Sequence, residues 1–202
     1  MLTLPANRGF SLIELMVAVA VFAILIFAAL PGFMSWIQNT QIRTEAEAMQ
    51  NGVQLARGEA VRTNTNVRFQ LVDTLTNGCV LSTTGKNWVV SMDDPTSACA
   101  TTPWDQVSAP PAVRILQWRS SIDGTRNAVV TASQSTIVFN GLGRVTPVPG
   151  ANITIDITNP TGGTCATTST PSPIHCLRIV VSTGGQVRMC DIAYPSTDPQ
   201  GC

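Results

Sequence analysis

The chain has 202 residues, a length that suits one domain with an appendage. Charged side chains make up only 12%, twelve basic against twelve acidic, where an average soluble domain carries about 25%. No whole-molecule field therefore draws it to nucleic acid or to anionic lipid, and the sequence beyond its first thirty residues, rich in Thr, Ser, Gly, Pro and Val, has the composition of an extracytoplasmic β domain.

The first predicted element is the apolar run from Phe10 to Leu30, "FSLIELMVAVAVFAILIFAAL", whose one charge is Glu14. As a helix rising about 1.5 Å per residue it spans about 30 Å, one hydrocarbon thickness. A cleaved secretory signal fits poorly. Its apolar core would be about 7–15 residues and would end at a small-residue cleavage site, whereas Pro31-Gly32 leads into more helix. A plain membrane anchor explains the length but not Glu14, because a carboxylate in hydrocarbon costs about 2.5–3.5 kcal/mol. Pro31 and Gly32 predict a kink or a locally melted turn, since proline lacks an N–H and clashes with the preceding turn.

Helical spacing resumes beyond them. Ile42, Ala46, Met49, Val53, Ala56 and Ala60 fall on one face, with Arg43, Glu47, Gln50, Gln54 and Arg57 on the others. That stripe of small residues predicts close packing on a sheet. Gly52 and Gly58 each cost about 1 kcal/mol against Ala, which predicts bending or fraying here. "TNTN", Thr63 to Asn66, ends the helix. From Phe10 to Arg62 it would reach about 80 Å, and only its second half is expected to pack on the globular domain.

The period then changes to two. Val67, Phe69 and Leu71 share one face of a strand, and "CVLSTTGKNWVVSM" predicts a hairpin turning at Gly85-Lys86. "DDPTSACATTPWDQ" reads as loop, with Asp93-Asp94 in a solvated turn. "VRILQWRSS", "NAVVTAS", "TIVFNGLGRVTP" and "NITIDIT" predict further strands. "CLRIVVSTGGQVRMC" is the clearest hairpin, turning on Thr183-Gly184-Gly185. All six cysteines lie in this loop-rich part, an even count that points to disulfides in an oxidising compartment. Sequential pairing, Cys79–Cys99, Cys165–Cys176 and Cys190–Cys202, would close three short loops and staple back an aperiodic tail. Metal ligation is the rival, but "IHC" at Ile174–Cys176 holds the only histidine and no CxxC accompanies it.

"RGFSLIELMVAVAVFAIL" resembles the class III leader junction of type IV pilins and pseudopilins, a short basic leader ending in Gly, then Phe, then an apolar helix with Glu at the fifth mature position. Gly9, Phe10 and Glu14 match that pattern position for position, and Pro31 matches a proline common in pilin helices. The resemblance implies that a prepilin peptidase cuts between Gly9 and Phe10 on the cytoplasmic side. The helix is then retained and the Phe10 amine is methylated without losing its charge. Glu14, one turn away, would pair with the Phe10 amine of an adjacent subunit and set axial register, because the unpaired state leaves a buried charge. Arg8, the only leader charge, agrees with a cytoplasmic N-terminus.

Later segments narrow the likeness. "LARGEAVRTNTNVRF" and "FNGLGRVTP" resemble the GspH/FimT family, and "RIVVSTGGQVRMCDIAYPSTDPQGC" resembles the Cys-closed end of FimT and FimU minor pilins. The implied architecture is α+β, a long N-terminal helix packed on an antiparallel β-sheet domain. Residues 1–9 would be leader, 10–30 the transmembrane assembly helix, 31–63 its amphipathic half, and 64–202 the disulfide-stapled β domain. Before assembly the chain would sit in the inner membrane, N-terminus cytoplasmic and β domain periplasmic; after assembly it would lie in the pilus at the cell surface. Implied partners are the major pilin, other minor pilins, the peptidase and the inner-membrane assembly platform, with no cofactor.

Two other functions stay open. One is DNA capture for transformation. The family's DNA-binding variants resemble "GRxR" at the last hairpin, but this chain reads Gly185-Gln186-Val187-Arg188, leaving Arg178 and Arg188 as the nearby cations. The other is a type II secretion pseudopilin, although those of the GspH kind usually lack the Cys-closed tail. Enzymatic chemistry finds no support: no GxSxG, P-loop or HExxH occurs, and "GLG" at Gly141–Gly143 reads as a turn.

Overall fold

The computed structural model describes residues 10–101, 103, 112–120 and 127–202, with the side chains at 28–31 excepted. Two compact units emerge, one ending at Ile37 and one spanning Gln38–Cys202, so the boundary falls inside the long helix. That helix, α1, runs Leu12–Thr63. Ser11 caps its start, its Oγ accepting the Glu14 N–H at 3.3 Å while its carbonyl accepts the Leu15 N–H at 3.2 Å. Its end is closed by Asn64 in the left-handed region at φ 51°, with the Thr65 N–H donating back to the Ala60 carbonyl at 3.3 Å. A short polar side chain tolerates that conformation, and the back-bond satisfies a carbonyl the helix would otherwise orphan. The backbone is helical through positions 31 and 32, so no melted turn forms there, but the helix axis bends by 42° between Leu12–Phe27 and Gly32–Thr63, as the kink alternative expects. The side chain of Pro31 lies outside the described residues.

The strands are β1 (Val67–Val72), β2 (Asn87–Ser91), β3 (Ile115–Arg119), β4 (Val129–Ala132), β5 (Thr136–Phe139), β6 (Ile153–Thr158), β7 (Leu177–Val181) and β8 (Val187–Asp191). They form two four-stranded antiparallel sheets, ordered β3-β2-β1-β5 and β4-β6-β7-β8. β6 shows why the alternation works. Ile153, Ile155 and Ile157 are buried, while Thr154, Asp156 and Thr158 are only partly so. The α1 stripe, Ile42 through Ala60, is fully buried in one core with residues from both sheets, among them Phe69, Trp88, Ile137, Ile155 and Ile179.

Gly52 explains how closely helix and sheet approach. A Cβ built there would lie 2.8 Å from Phe69 Cε2 and 3.1 Å from the Trp88 ring. The two rings sit with centroids 5.7 Å apart directly against this turn of α1. Gly52 is therefore a contact requirement, not a point of fraying. Gly58, by contrast, would meet nothing within 4 Å.

The hairpin expected at Gly85-Lys86 does not form. β2 pairs instead with β1, Leu71 facing Trp88, and the segment before it contributes a single bridge, Val72 to Leu81. Local capping decides this. Asp73 Oδ1 accepts the N–H groups of Thr74 at 2.7 Å and Val80 at 2.9 Å, curling 73–80 into a loop. Gly85 then lies so close to the end of β1 that a Cβ there would fall 2.3 Å from the Val72 carbonyl oxygen. The later hairpin does form, with Gly185 at φ 85° and Val181 facing Val187.

Disulfides join Cys79 to Cys99, Cys165 to Cys176 and Cys190 to Cys202, with Cα separations of 6.1, 5.4 and 5.2 Å. The first is buried in a small second cluster with Val72, Val89 and Ile115. β2 is thus covered on both sides, Val90 facing the main core and Val89 the satellite.

Candidate assembly helix and the arginine hairpin

Between Leu12 and Phe27 large apolar side chains are exposed around the whole helix, among them Leu12, Ile13, Met16, Val19, Phe22 and Phe27. A helix apolar on every face is stable only where something apolar surrounds it. No single described helix is long and apolar enough to cross a membrane; Leu12–Phe27 and Gly32–Thr63 reach that length and composition only together. Phe10 is exposed, and the carboxylate of Glu14 has no partner among the described residues. Its backbone N–H goes to Ser11. Gly9 lies outside the described residues. Ser11-x-x-Glu14 is a helix-capping pattern readable in the sequence, of which the Ser11 half forms, through the backbone N–H of Glu14.

The start of the second unit is clasped by side-chain amides. Asn39 Nδ2 donates to the Pro173 carbonyl at 2.8 Å, and Asn39 Oδ1 accepts the His175 N–H at 2.9 Å. Buried Asn159 donates to Gln41 Oε1 at 3.1 Å and to Gln38 Oε1. These bonds attach α1 to the chain just before the Cys165–Cys176 loop and to the end of that loop itself. Nothing in the hydrophobic pattern signals them, because polar contacts over such sequence separations leave no periodic trace.

The two hairpin arginines are both engaged. Arg178 stands opposite Asp156 in the β6–β7 register and donates to it in a fork, Nε to Oδ1 at 2.5 Å and Nη2 to Oδ2 at 3.1 Å. The hydrogen bond that Arg178 donates to Asp156, more than the charge of Asp156, raises Arg178 above the ordinary arginine value. Arg188 Nη1 donates to the Gly201 carbonyl at 3.2 Å, beside the Cys190–Cys202 bond. Arg178 is thus neutralised locally and Arg188 is tied to the tail. Asp156 is the residue missed by reading the hairpin alone; the β6 pattern that turns it outward could have suggested it.

Between α1 and this hairpin lies an open groove of about 430 Å³ lined by Gln54, Arg57, Gly58, Val61 and Val187. Arg57 Nε donates to the Gly143 carbonyl at 3.2 Å. The groove brings together no acid, base and nucleophile. His175 Nδ1 lies 2.8 Å from Asp191 Oδ2, with the Tyr194 ring 6.3 Å away. Asp191 Oδ1 also accepts the Ala193 N–H at 2.8 Å, so this pair joins the two C-terminal disulfide loops and is structural. Among the described residues no three His, Cys, Asp or Glu side chains are grouped to hold a metal ion.

Residues 45–185 match the family model described as type II transport protein GspH, and residues 4–30 match the prokaryotic N-terminal methylation motif. No curated protein gives a significant match. Among solved structures the chain is similar to the type IV minor pilin FimU of Pseudomonas aeruginosa strain PAO1 in two crystal forms. In one the identity is 17%, covering 83% of this chain and 98% of the other, with TM-score 0.49. In the second these are 18%, 79%, 98% and 0.47. It is also similar to GspH of E. coli, at 15% identity, 77% and 92% coverage and TM-score 0.44.

Proposed function

The chain belongs to the GspH family, whose model covers residues 45–185, and from that premise we propose that it is a minor pilin, a structural subunit of a type IV pilus that acts in priming assembly or at the tip. The observation that carries this reading is the Glu14 carboxylate, without a partner among the described residues, on a Leu12–Phe27 stretch whose large apolar side chains are exposed, one turn from Phe10 at a junction matched by the methylation motif. Magnitudes favour an external partner. The helix N-terminus offsets about 0.3–1 kcal/mol of a carboxylate's cost, against about 2.5–3.5 kcal/mol for placing it in hydrocarbon. The remainder calls for a cation, and the Phe10 amine of a neighbouring subunit supplies one.

In this reading a prepilin peptidase cuts between Gly9 and Phe10 at the cytoplasmic face, and residues 10–30 stay as the membrane-held assembly helix. Pro31 and Gly32 let that helix bend when it leaves the bilayer for the fibre. The subunit waits in the inner membrane with its β domain periplasmic, meets the assembly platform, other minor pilins and the major pilin, and ends in the pilus. Its work is structural, without catalysis or cofactor. The engagement of Arg178 by Asp156 and of Arg188 by the tail supports this over DNA capture, since phosphate binding needs cations free to displace the counterions condensed on the nucleic acid.

A second reading, the pseudopilin of a type II secretion system, is favoured by the description the family carries. The Cys190–Cys202 closure of the tail speaks for the pilus. Deleting the gene separates them: a pilus subunit's loss lowers surface pili and leaves protein export intact, and a pseudopilin's loss does the reverse. Mass spectrometry of the mature chain is expected to find methylated Phe10 as its first residue. A mature chain that begins beyond Leu30 has lost its assembly helix, and both readings go with it.

A further inference from the structure

Phe33 and Trp36 stand three residues apart on α1, stacked with ring centroids 5.9 Å apart and planes 26° from parallel. Both are exposed, at 55% and 62%, and Met34, between them in the chain and turned to another face of the helix, is exposed at 57%. Aromatic rings this exposed, side by side, present an apolar surface to whatever surrounds the helix.

Its position along the helix identifies the medium. Phe33 and Trp36 follow Phe10 by about 35 and 39 Å of helix rise. Hydrocarbon is about 30 Å thick and the bilayer with its headgroups about 40–45 Å. With the 42° bend after Phe27 and a tilt of about 20°, the projected distances are about 30 and 33 Å, at the far edge of the hydrocarbon. With the charged amine of Phe10 in one headgroup layer, both rings reach the other. The character of the helix changes at the same place. Upstream, Leu12 to Phe27 expose apolar side chains all round. Downstream come Gln38, Asn39 and Gln41, whose amides are bound to Asn159, Pro173 and His175, and the second compact unit begins at Gln38. The two rings thus occupy the last turns before the polar clasp. Indole combines an apolar body with an N–H donor, the combination that prefers a wet, partly apolar layer to either water or hydrocarbon.

We propose that Phe33, Met34 and Trp36 form an aromatic collar that docks in the phospholipid headgroup layer on the periplasmic side and sets the depth at which α1 sits before assembly. The collar complements Glu14: the acid sets the register of one helix against its neighbour in the fibre, while the collar sets the register of the helix against the bilayer. The proposal rests on the reading that residues 10–30 span the membrane.

The test uses the full chain reconstituted at low density in vesicles of phosphatidylcholine and phosphatidylglycerol. The Trp36→Leu variant is reconstituted in parallel, so that the difference in emission isolates Trp36 from Trp88, Trp104 and Trp118. Lipids brominated beside the headgroup are expected to quench that difference about twofold more than lipids brominated at mid-chain, as an interfacial ring requires, with aqueous iodide quenching it weakly. Quenching by iodide as strong as for free tryptophan overturns the collar. So does preferential quenching from mid-chain, or shielding from lipid and iodide alike, which would mean that another helix covers the rings. A chain carrying Phe22→Trp with Trp36→Leu reports on the underlying reading. If the indole at position 22 is quenched from mid-chain while Trp36 is aqueous, only the collar fails; if it is quenched by iodide, the spanning reading fails with it.

Discussion

At the scale of single residues, two glycines of α1 carry opposite burdens. Gly52 faces Phe69 and Trp88 at distances a Cβ cannot share, whereas Gly58 faces open space. Gly52→Ala is expected to lower unfolding stability by about 1–3 kcal/mol through overpacking. Gly58→Ala is expected to raise it by about 0.5–1 kcal/mol by restricting the unfolded chain. Denaturant unfolding of the full chain in detergent checks both. Asp93 shows the same dependence on surroundings. The Arg114 side chain bonds it from Nε and Nη2, both at 2.8 Å, and the Arg114 backbone N–H adds a third bond at 3.0 Å. These bonds, the side chain's foremost, lower the Asp93 carboxyl from 3.8 to about 2. A carboxyl lowered on folding stabilises the fold above its unfolded value and loses that contribution as pH falls through its folded value. Stability is therefore expected to drop between about pH 4 and pH 2, and Asp93→Asn to remove about 1 kcal/mol of that drop, a figure discounted because the pair is partly exposed. Unfolding midpoints measured across that window test it. The doublet Asp93-Asp94 before Pro95 announced a turn but not its partner, since Arg114 is brought to it only by the β2–β3 pairing.

At the scale of elements, local chemistry was legible where the chain's own neighbours complete the structure. The β7–β8 hairpin follows from Gly185, which supplies the positive φ the turn requires. The predicted hairpin at Gly85-Lys86 had similar turn residues and failed, because Asp73 caps the preceding loop and β1 offers β2 an apolar partner strand. Periodicity reports that a segment is extended; it does not name the strand it will lie beside. The clasp at the start of the second unit was invisible for the same reason. Asn39 is one amide among many in sequence, yet it bonds backbone on both sides of Ile174. Asn39→Ala leaves that carbonyl and N–H unpaired and is expected to cost roughly 1–3 kcal/mol. Hydrogen exchange should show the loss of protection concentrated at His175, with the β1–β2 amides unchanged.

At the scale of the whole molecule, the proposed assembly role makes Glu14 separable from folding. Glu14→Gln keeps the size of the side chain and the Ser11 cap on its N–H while removing the charge. The variant is expected to reach the membrane fraction at the normal level and to be depleted at least about tenfold from sheared surface fibres, as the loss of a paired charge in hydrocarbon predicts. Immunoblots of the two fractions check this, and normal incorporation would remove Glu14 from the assembly step. The apolar rod, its lone acid, the amphipathic stripe of α1 and the inward faces of strands such as β6 were determined by the sequence alone, because each is written in spacings of two to four residues. Only the tertiary structure decided that the strands divide into two sheets around α1, that Gly52 is a contact and Gly58 a gap, and that Arg178 spends its charge on Asp156. Each of those depends on which distant segments meet, and that is set by the summed burial and pairing of the whole core, not by any short stretch of chain.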